Sequence, residues 1–321
     1  MRRTILRGLA LAFGLAATLA VQAQGSFPDK PVRMVVPFPP GSATDIGARM
    51  LAQQLQATLG QTFVVDNKPG AGGSIGSMDV VRSAPDGYTL LFASNSPAAS
   101  NVALLKTMPY DPAKDLTPIA GVGSSMLVLM VRADHPATNL RDFIAHLKQH
   151  PGKVSAGYGS SSSQTSIALL NKLANVDVLA VPYKGIPLAV TDTIGGVVDF
   201  TFVDLANAVA QLKGGKMRAL GVTSSKRAAL VPELPALGET LPGFDITAWL
   251  AVFGPASMPR PVVEKLSSAI TGALQQPEMR EKLAATGMQA MVMSPEQLKQ
   301  FVGAEITKWL QLARDANIQP Q

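Results

Sequence analysis

The stretch VVPFPPGSATDIGARM, residues 35–50, decides how this chain is read. An apolar run of strand character breaks on Pro37, Pro39, Pro40 and Gly41, then passes through Ser42, Ala43 and Thr44 into a helical pattern. The start of such a helix exposes unpaired backbone N–H groups and the positive end of a dipole, so an anion is favoured there. A triphosphate loop would also carry a lysine, and this stretch has none. Ser42 or Thr44 is expected to cap the helix. Asp45 favours its dipole and pairs with Arg49 one turn later. Ile46, Met50, Leu51 and Leu55 supply one apolar face, and Gly60 ends the helix.

The same pattern recurs along the chain. TFVVDNKPGAGGSIGSMDVVRSA predicts a strand near 62–66, a glycine-rich turn and a helix near 74–83. KVSAGYGSSSSQTSIALLNKLANV predicts a strand near 153–157, a Gly/Ser loop and a helix from Thr165. VLAVPYKGIPLAVTDTIGGVVDFTFVD predicts a strand, a turn at Lys184-Gly185, a helix near 187–194 and a strand near 197–203. Strands alternating with helices require crossovers, hence a mainly parallel sheet covered on both faces and an α/β fold. Val262, Val263, Leu266, Ile270 and Leu274 mark a further helix, and Ser294-Pro295-Glu296 opens another that runs to Ala316. Val128–Val131 and Trp249–Phe253 read as strands passing between two lobes, with Trp249 and Trp309 as core residues.

Residues 1–23 carry Arg2, Arg3 and Arg7, then an apolar run from Leu9 to Val21 and a Val21-Gln22-Ala23 cleavage pattern. This is the layout of a cleavable signal peptide, with the mature chain starting at Gln24. Loss of three arginines lowers a formal charge of only +6 in 321 residues, which excludes a strongly basic nucleic-acid binder. The remainder suits two domains whose cores the 47% apolar fraction can fill. With no cysteine there is no disulfide, thiolate metal site or cysteine nucleophile.

Candidate site residues follow from the loops at strand ends, where ligands of α/β sheets sit. In the first loop these are Phe38, Pro40, Gly41, Ser42, Ala43, Thr44 and Asp45. In GYGSSSSQ they are Gly159, Ser160, Ser161, Ser162, Ser163 and Gln164, rich in donors to a negative group. Tyr183, Lys184 and Gly185 form a turn whose lysine could balance a carboxylate. Asp204, at a strand end, either accepts a bond from a ligand or caps the next helix. Enzyme readings are weaker. His146 and His150 have zinc-compatible spacing, but the intervening residues offer no glutamate base, and a solvated helix face accounts for all three histidines with His135. GYGSS is not a nucleophile elbow, and GAGGSIG (70–76) departs from the dinucleotide fingerprint, so no metal and no cofactor is expected.

Taken together, FPDKPVRMVVPFPPGSATDIGARMLAQQL, GQTFVVDNKPGAGGSIGS, APDGYTLLFAS, PYDPAKDLTPIA, VPYKGIPLAVTDTIGGVVDFTFVD, GGKMRALGVTSSKRAALVPELPALGET and PGFDITAWLAVFGPASMP resemble the Bug receptors, periplasmic solute receptors of tripartite tricarboxylate transporters. The resemblance covers nearly all of the expected mature chain. It implies a type II periplasmic binding-protein fold, two Rossmann-like lobes hinged around a ligand cleft. Lobe one would take 27–127 plus 248–321 and lobe two 128–247. It also implies a non-catalytic monomer in the periplasm that hands a small carboxylate to membrane permease subunits, with a sensor kinase as a further conceivable reader and no nucleic-acid partner. Backbone N–H groups and hydroxyls of Phe38–Asp45 and Gly157–Gln164 would grip the carboxylate. Ser94, Asn95, Ser96 and Asn101 would border the cleft. Family members commonly carry Gly at position 42 and His at 164, where this chain has Ser and Gln, so ligand choice does not transfer. The alternative is an exported enzyme acting on a small organic acid in the same cleft.

Overall fold

The computed structural model describes residues 27–320; the expected signal peptide lies outside the described residues. The first strand, β1 (Val32–Val36), alternates apolar side chains onto both faces. It pairs in parallel with β2 (Phe63–Asn67) on one side and β3 (Thr89–Ser94) on the other. Between β1 and β2 runs α1 (Ala43–Leu59), and between β2 and β3 runs α2 (Ser74–Val81). Gly60 ends α1 in the left-handed conformation, its N–H donating to Gln56 O at 3.0 Å. The buried stripe of α1 is Gly47, Ala48, Leu51, Ala52 and Leu55, while Ile46 and Met50 lie at its half-buried margin. The face is turned relative to the sequence reading because Thr44 and Asp45 are themselves buried at the helix start.

One strand joins everything. β4 (Leu116–Arg132) pairs antiparallel through residues 116–126 with β9 (Thr247–Pro255), which in turn pairs with β3. From Leu127 onward it pairs with β7 (Phe200–Asp204) and β8 (Met217–Val222) instead. The second group is completed by β5 (Val154–Tyr158), parallel to both β7 and β6 (Val178–Pro182). Against the first half of β4 also lies β10 (Gln289–Met293), admitted by Gly121: a Cβ there would fall 2.7 Å from Met291 O. The expected crossing at Val128–Val131 is thus part of a much longer strand. Trp249–Phe253 lies wholly in the first group and begins at the junction.

At that junction Thr223 is fully buried and ties three segments together. Its hydroxyl donates to Ile246 O at 2.8 Å and accepts the Leu127 N–H at 3.0 Å, while its own N–H donates to Leu127 O at 2.9 Å. Helices cover both groups of strands: α3 (Leu140–Gln149), α4 (Ser161–Ala174), α5 (Ile186–Ile194) and α6 (Leu205–Lys213) in the second, α7 (Arg260–Gln275), α8 (Pro277–Ala285) and α9 (Pro295–Asp315) in the first. Ser294 and Gln297 form a capping box on α9. On the same helix Glu305 Oε2 accepts the indole N–H of Trp249 at 2.7 Å and of Trp309 at 3.0 Å. Both tryptophans are buried core residues, as their sequence contexts suggest.

Candidate functional site

Between the two groups of strands the starts of α1 and α4 face a shared cleft. On α1, Ser42 is the cap: its backbone is extended (φ −69°, ψ 158°) and its Oγ accepts the Asp45 N–H at 3.3 Å. The Gly41 N–H donates to Asp45 Oδ2 at 2.9 Å and the Ser42 N–H to Pro39 O at 3.2 Å, so both amides are engaged inside the loop. The amides of Ala43 and Thr44, first in the helix, have no intrahelical acceptor. Both residues line a cavity of about 60 Å³. Asp45 does not line it. Burial by itself would raise its carboxyl, but bonds from Arg49, Gly41 and Asn67 outweigh that and hold it below the ordinary carboxylate range. Asn67 also donates to Phe38 O at 3.0 Å, fixing the loop from the end of β2. The sequence hint for Asn67 was only its place at a strand end.

On α4 the serines behave differently from a loop. The helix begins at Ser161, four residues before the expected Thr165. Ser160 is its cap, and Ser163 returns the contact in a capping box. Ser163 Oγ accepts the N–H of Gly159 at 3.2 Å and of Ser160 at 3.1 Å, so these amides are occupied too. Counting residues in GYGSSSSQ therefore overstates the donors free for a ligand. Several serines instead bond across the cleft. Asn95 Nδ2 donates to Ser162 Oγ at 3.0 Å, and that hydroxyl lies 3.3 Å from Asn95 Oδ1. The Ser161 N–H donates to Ser96 Oγ at 3.1 Å, and Ser161 Oγ to Asn101 Oδ1 at 2.8 Å.

The structure brings Phe38, Ser42, Ala43, Thr44, Ser94, Asn95, Gly159, Ser160, Ser162 and Asp204 around the 60 Å³ cavity. Leu127, Ile186, Ala248 and Leu250 complete its wall; their apolar character gave no signal of a site. Ser161, Gln164, Tyr183 and Lys184 line a second, outer cavity of about 330 Å³, which shares Gly159 and Ser160 with the first. Pro40, Gly41, Asp45, Ser96, Ser163 and Gly185 line neither; they shape the loops and the contact between them. Of the two roles expected of Asp204, the helix cap is present. Its carboxylate caps α6, accepting from Asn207 N at 3.0 Å and from Asn207 Nδ2 at 3.0 and 2.9 Å, and it also borders the inner cavity. Burial pushes its carboxyl above the ordinary range, against the bonds from Asn207.

A further cavity of about 580 Å³ lies across the junction beside Ser125, Arg280 and Met288 and shares no residue with the cleft. The Ser125 hydroxyl there is taken by Gly287 O at 2.9 Å. His135, His146 and His150 form a row with ring centroids 5.0 and 4.4 Å apart on α3 and the turn before it. Among the described residues no group of three or more His, Asp or Glu is placed to hold a metal.

A two-lobed α/β molecule with helix N-termini converging on a closed cleft is a solute-binding protein by architecture. Residues 47–318 match the tripartite tricarboxylate transporter family receptor model, and the chain belongs to that family of periplasmic binding proteins. Protein BugT of Bordetella pertussis is 35% identical over 306 residues, covering 94% of this chain and 93% of BugT. Among solved structures, R. palustris Rpa4515 with adipate superposes with a TM-score of 0.90 at 32% identity, covering 92% of this chain and 100% of that one. The periplasmic binding protein BugD gives 0.87 at 33%, covering 92% and 100%. MatC from Rhodopseudomonas palustris with bound malate gives 0.84 at 34%, covering 89% and 99%. The fold is the two-lobe periplasmic binding-protein fold that the resemblance implied, and its α/β class is the one the strand–turn–helix repeats predicted.

Proposed function

We propose that this chain captures a small carboxylate in the periplasm and delivers it to the membrane permease of a tripartite tricarboxylate transporter, without chemical change to the ligand. The observation that carries this reading is the inner cavity, lined by Ala43 and Thr44, whose first-turn amides have no intrahelical acceptor, and by Ser160 and Ser162 of α4. Two amides at the positive end of a 17-residue helix suit a carboxylate, whose charge is less than that of a triphosphate, and need no lysine beside them. The hydroxyls of Thr44 and Ser160 add donors or acceptors at the rim. Family relatives crystallised with adipate and malate support an organic acid as the ligand.

Lobe one then comprises 27–127 plus 248–321 and lobe two 128–247, a division supported by the change of pairing partners at Leu127. A ligand touching both lobes stabilises the closed arrangement by its differential affinity for it. Capture at micromolar concentration requires about −8 kcal/mol, within reach of several charge-assisted bonds in the interlobe cavity. Export by the N-terminal signal segment places the monomer where such a permease can meet it. The test is native mass spectrometry of freshly purified protein, followed by calorimetry with a panel of mono-, di- and tricarboxylates. Micromolar or tighter binding of an acid recovered unchanged is the expected result. Turnover of the acid, or no response to any carboxylate, overturns the reading.

A further inference from the structure

The cavity of about 580 Å³ lies behind the strands that cross at the junction. In an extended strand neighbouring side chains point to opposite faces. On β9, Ala248 lines the inner cavity and Thr247 the rear one; on β4, Leu127 lines the inner cavity and Met126 the rear one. Met126 and Thr247 are also register partners. The cleft and the rear cavity therefore occupy opposite faces of the same crossing strands.

The two walls of the rear cavity are rooted in different cores. One wall is the segment 228–230, held through Ala228 and Val231 in an apolar cluster with Val128, Val203 and Leu205. The other is the end of α8 and the start of β10, held through Met279, Leu283 and Met288 in a separate cluster with Leu51 and Leu266. Short side chains line both: Ala228 and Ala229 on one wall, Ala284, Gly287 and Ala290 on the other. The walls are joined at one edge by direct contact. Gly287, at φ +74°, lies so close to α6 that a Cβ there would fall 2.5 Å from Leu205 Cγ. Leu205 opens α6 directly after Asp204, which borders the inner cavity. The contact thus sits between the cleft wall and the rear cavity.

We propose that the rear cavity is the clearance for opening: parting the cleft walls about the Gly287–Leu205 contact swings segment 228–230 toward α8, and the small side chains there set how readily the ligand-free protein opens. This rests on the two-lobe capture reading above. Filling the space disfavours the open arrangement, raises the closed fraction of the free protein, and tightens apparent affinity in proportion. Ala229→Trp and Ala284→Trp fill it from opposite walls at exposed positions; Ala285→Trp, exposed on the same helix but not lining the cavity, is the control. Small-angle X-ray scattering of the ligand-free proteins reads the opening, and calorimetry with succinate and with citrate reads affinity. Both cavity variants should have a smaller radius of gyration than the wild type and the control. They should bind whichever acid the wild type binds about three- to thirty-fold more tightly. A wild-type radius of gyration in either cavity variant, or an affinity equal to the control's, overturns the clearance. If the wild type binds neither acid, the carboxylate reading fails for these acids, while the scattering still decides the clearance.

Discussion

Ser162→Ala removes a contact that exists only when the lobes are together. Asn95 and Ser162 are each about 1% exposed and come from opposite sides of the cleft, with the carboxamide and hydroxyl 3.0 and 3.3 Å apart. After truncation the Asn95 amide keeps only a marginal 3.5 Å approach to Ser100 Oγ, and its Oδ1 loses its donor. A buried polar group left unsatisfied costs about 1–3 kcal/mol. In an open molecule water covers the same atoms, so the whole penalty falls on the closed arrangement. Ligand affinity should then drop by about 5- to 150-fold. Ser162 also borders the inner cavity, so the single variant could act by losing a ligand contact. A double-mutant cycle with Asn95→Ala separates the cases. The double variant, with both polar partners gone, should bind an acid nearly as well as the weaker single variant, giving a coupling of about 1 kcal/mol or more. Calorimetric affinities for the four proteins supply the measurement. Additive losses, or wild-type affinity in Ser162→Ala, would refute the interlobe assignment.

Three further outcomes follow from single sites. Ala43→Pro is compatible with the first position of α1, because Ser42 before it is already extended, yet it deletes the amide of a residue lining the inner cavity; calorimetry should show a loss of about 10- to 150-fold with the unfolding midpoint nearly unchanged. Glu305→Ala leaves the indole N–H groups of Trp249 and Trp309 without their acceptor and should lower unfolding free energy by about 2–5 kcal/mol, read from tryptophan fluorescence in urea. Asp45 has a folded-state carboxyl below its unfolded value, so its stabilisation is complete above the unfolded value near 3.8 and is lost as pH falls from there toward the folded value. Asp45→Asn should therefore be less stable at neutral pH, with a shallower fall in stability on acidification, monitored by circular dichroism.

The parts of the fold visible in the sequence are those where short-range physics and tertiary demand agree. β1, its proline–glycine turn and α1 follow from an apolar run, residues that break a strand, and a serine able to cap. The helix from Pro295 was marked by its Ser-Pro-Glu opening for the same reason. The first half of β4 was hidden, because Thr117, Pro118, Gly121, Gly123, Ser124 and Ser125 have little strand character and are held there by β9 and β10. Thr223 gave no signal, since its three bonds reach segments distant in sequence. The serines of GYGSSSSQ were legible as donors but not as partners of one another. Only the three-dimensional distances reveal that Ser163 occupies two amides and that Ser161 and Ser162 turn to Asn101 and Asn95.

Everything functional depends on two main-chain amides at the start of one helix holding an acid's charged end. The most direct test is a crystal structure of the protein with a bound acid. One carboxylate should lie in the inner cavity with its oxygens about 2.7–3.2 Å from the nitrogens of Ala43 and Thr44. A carboxylate found outside that cavity, with both amides turned to water or to other protein atoms, would contradict the account.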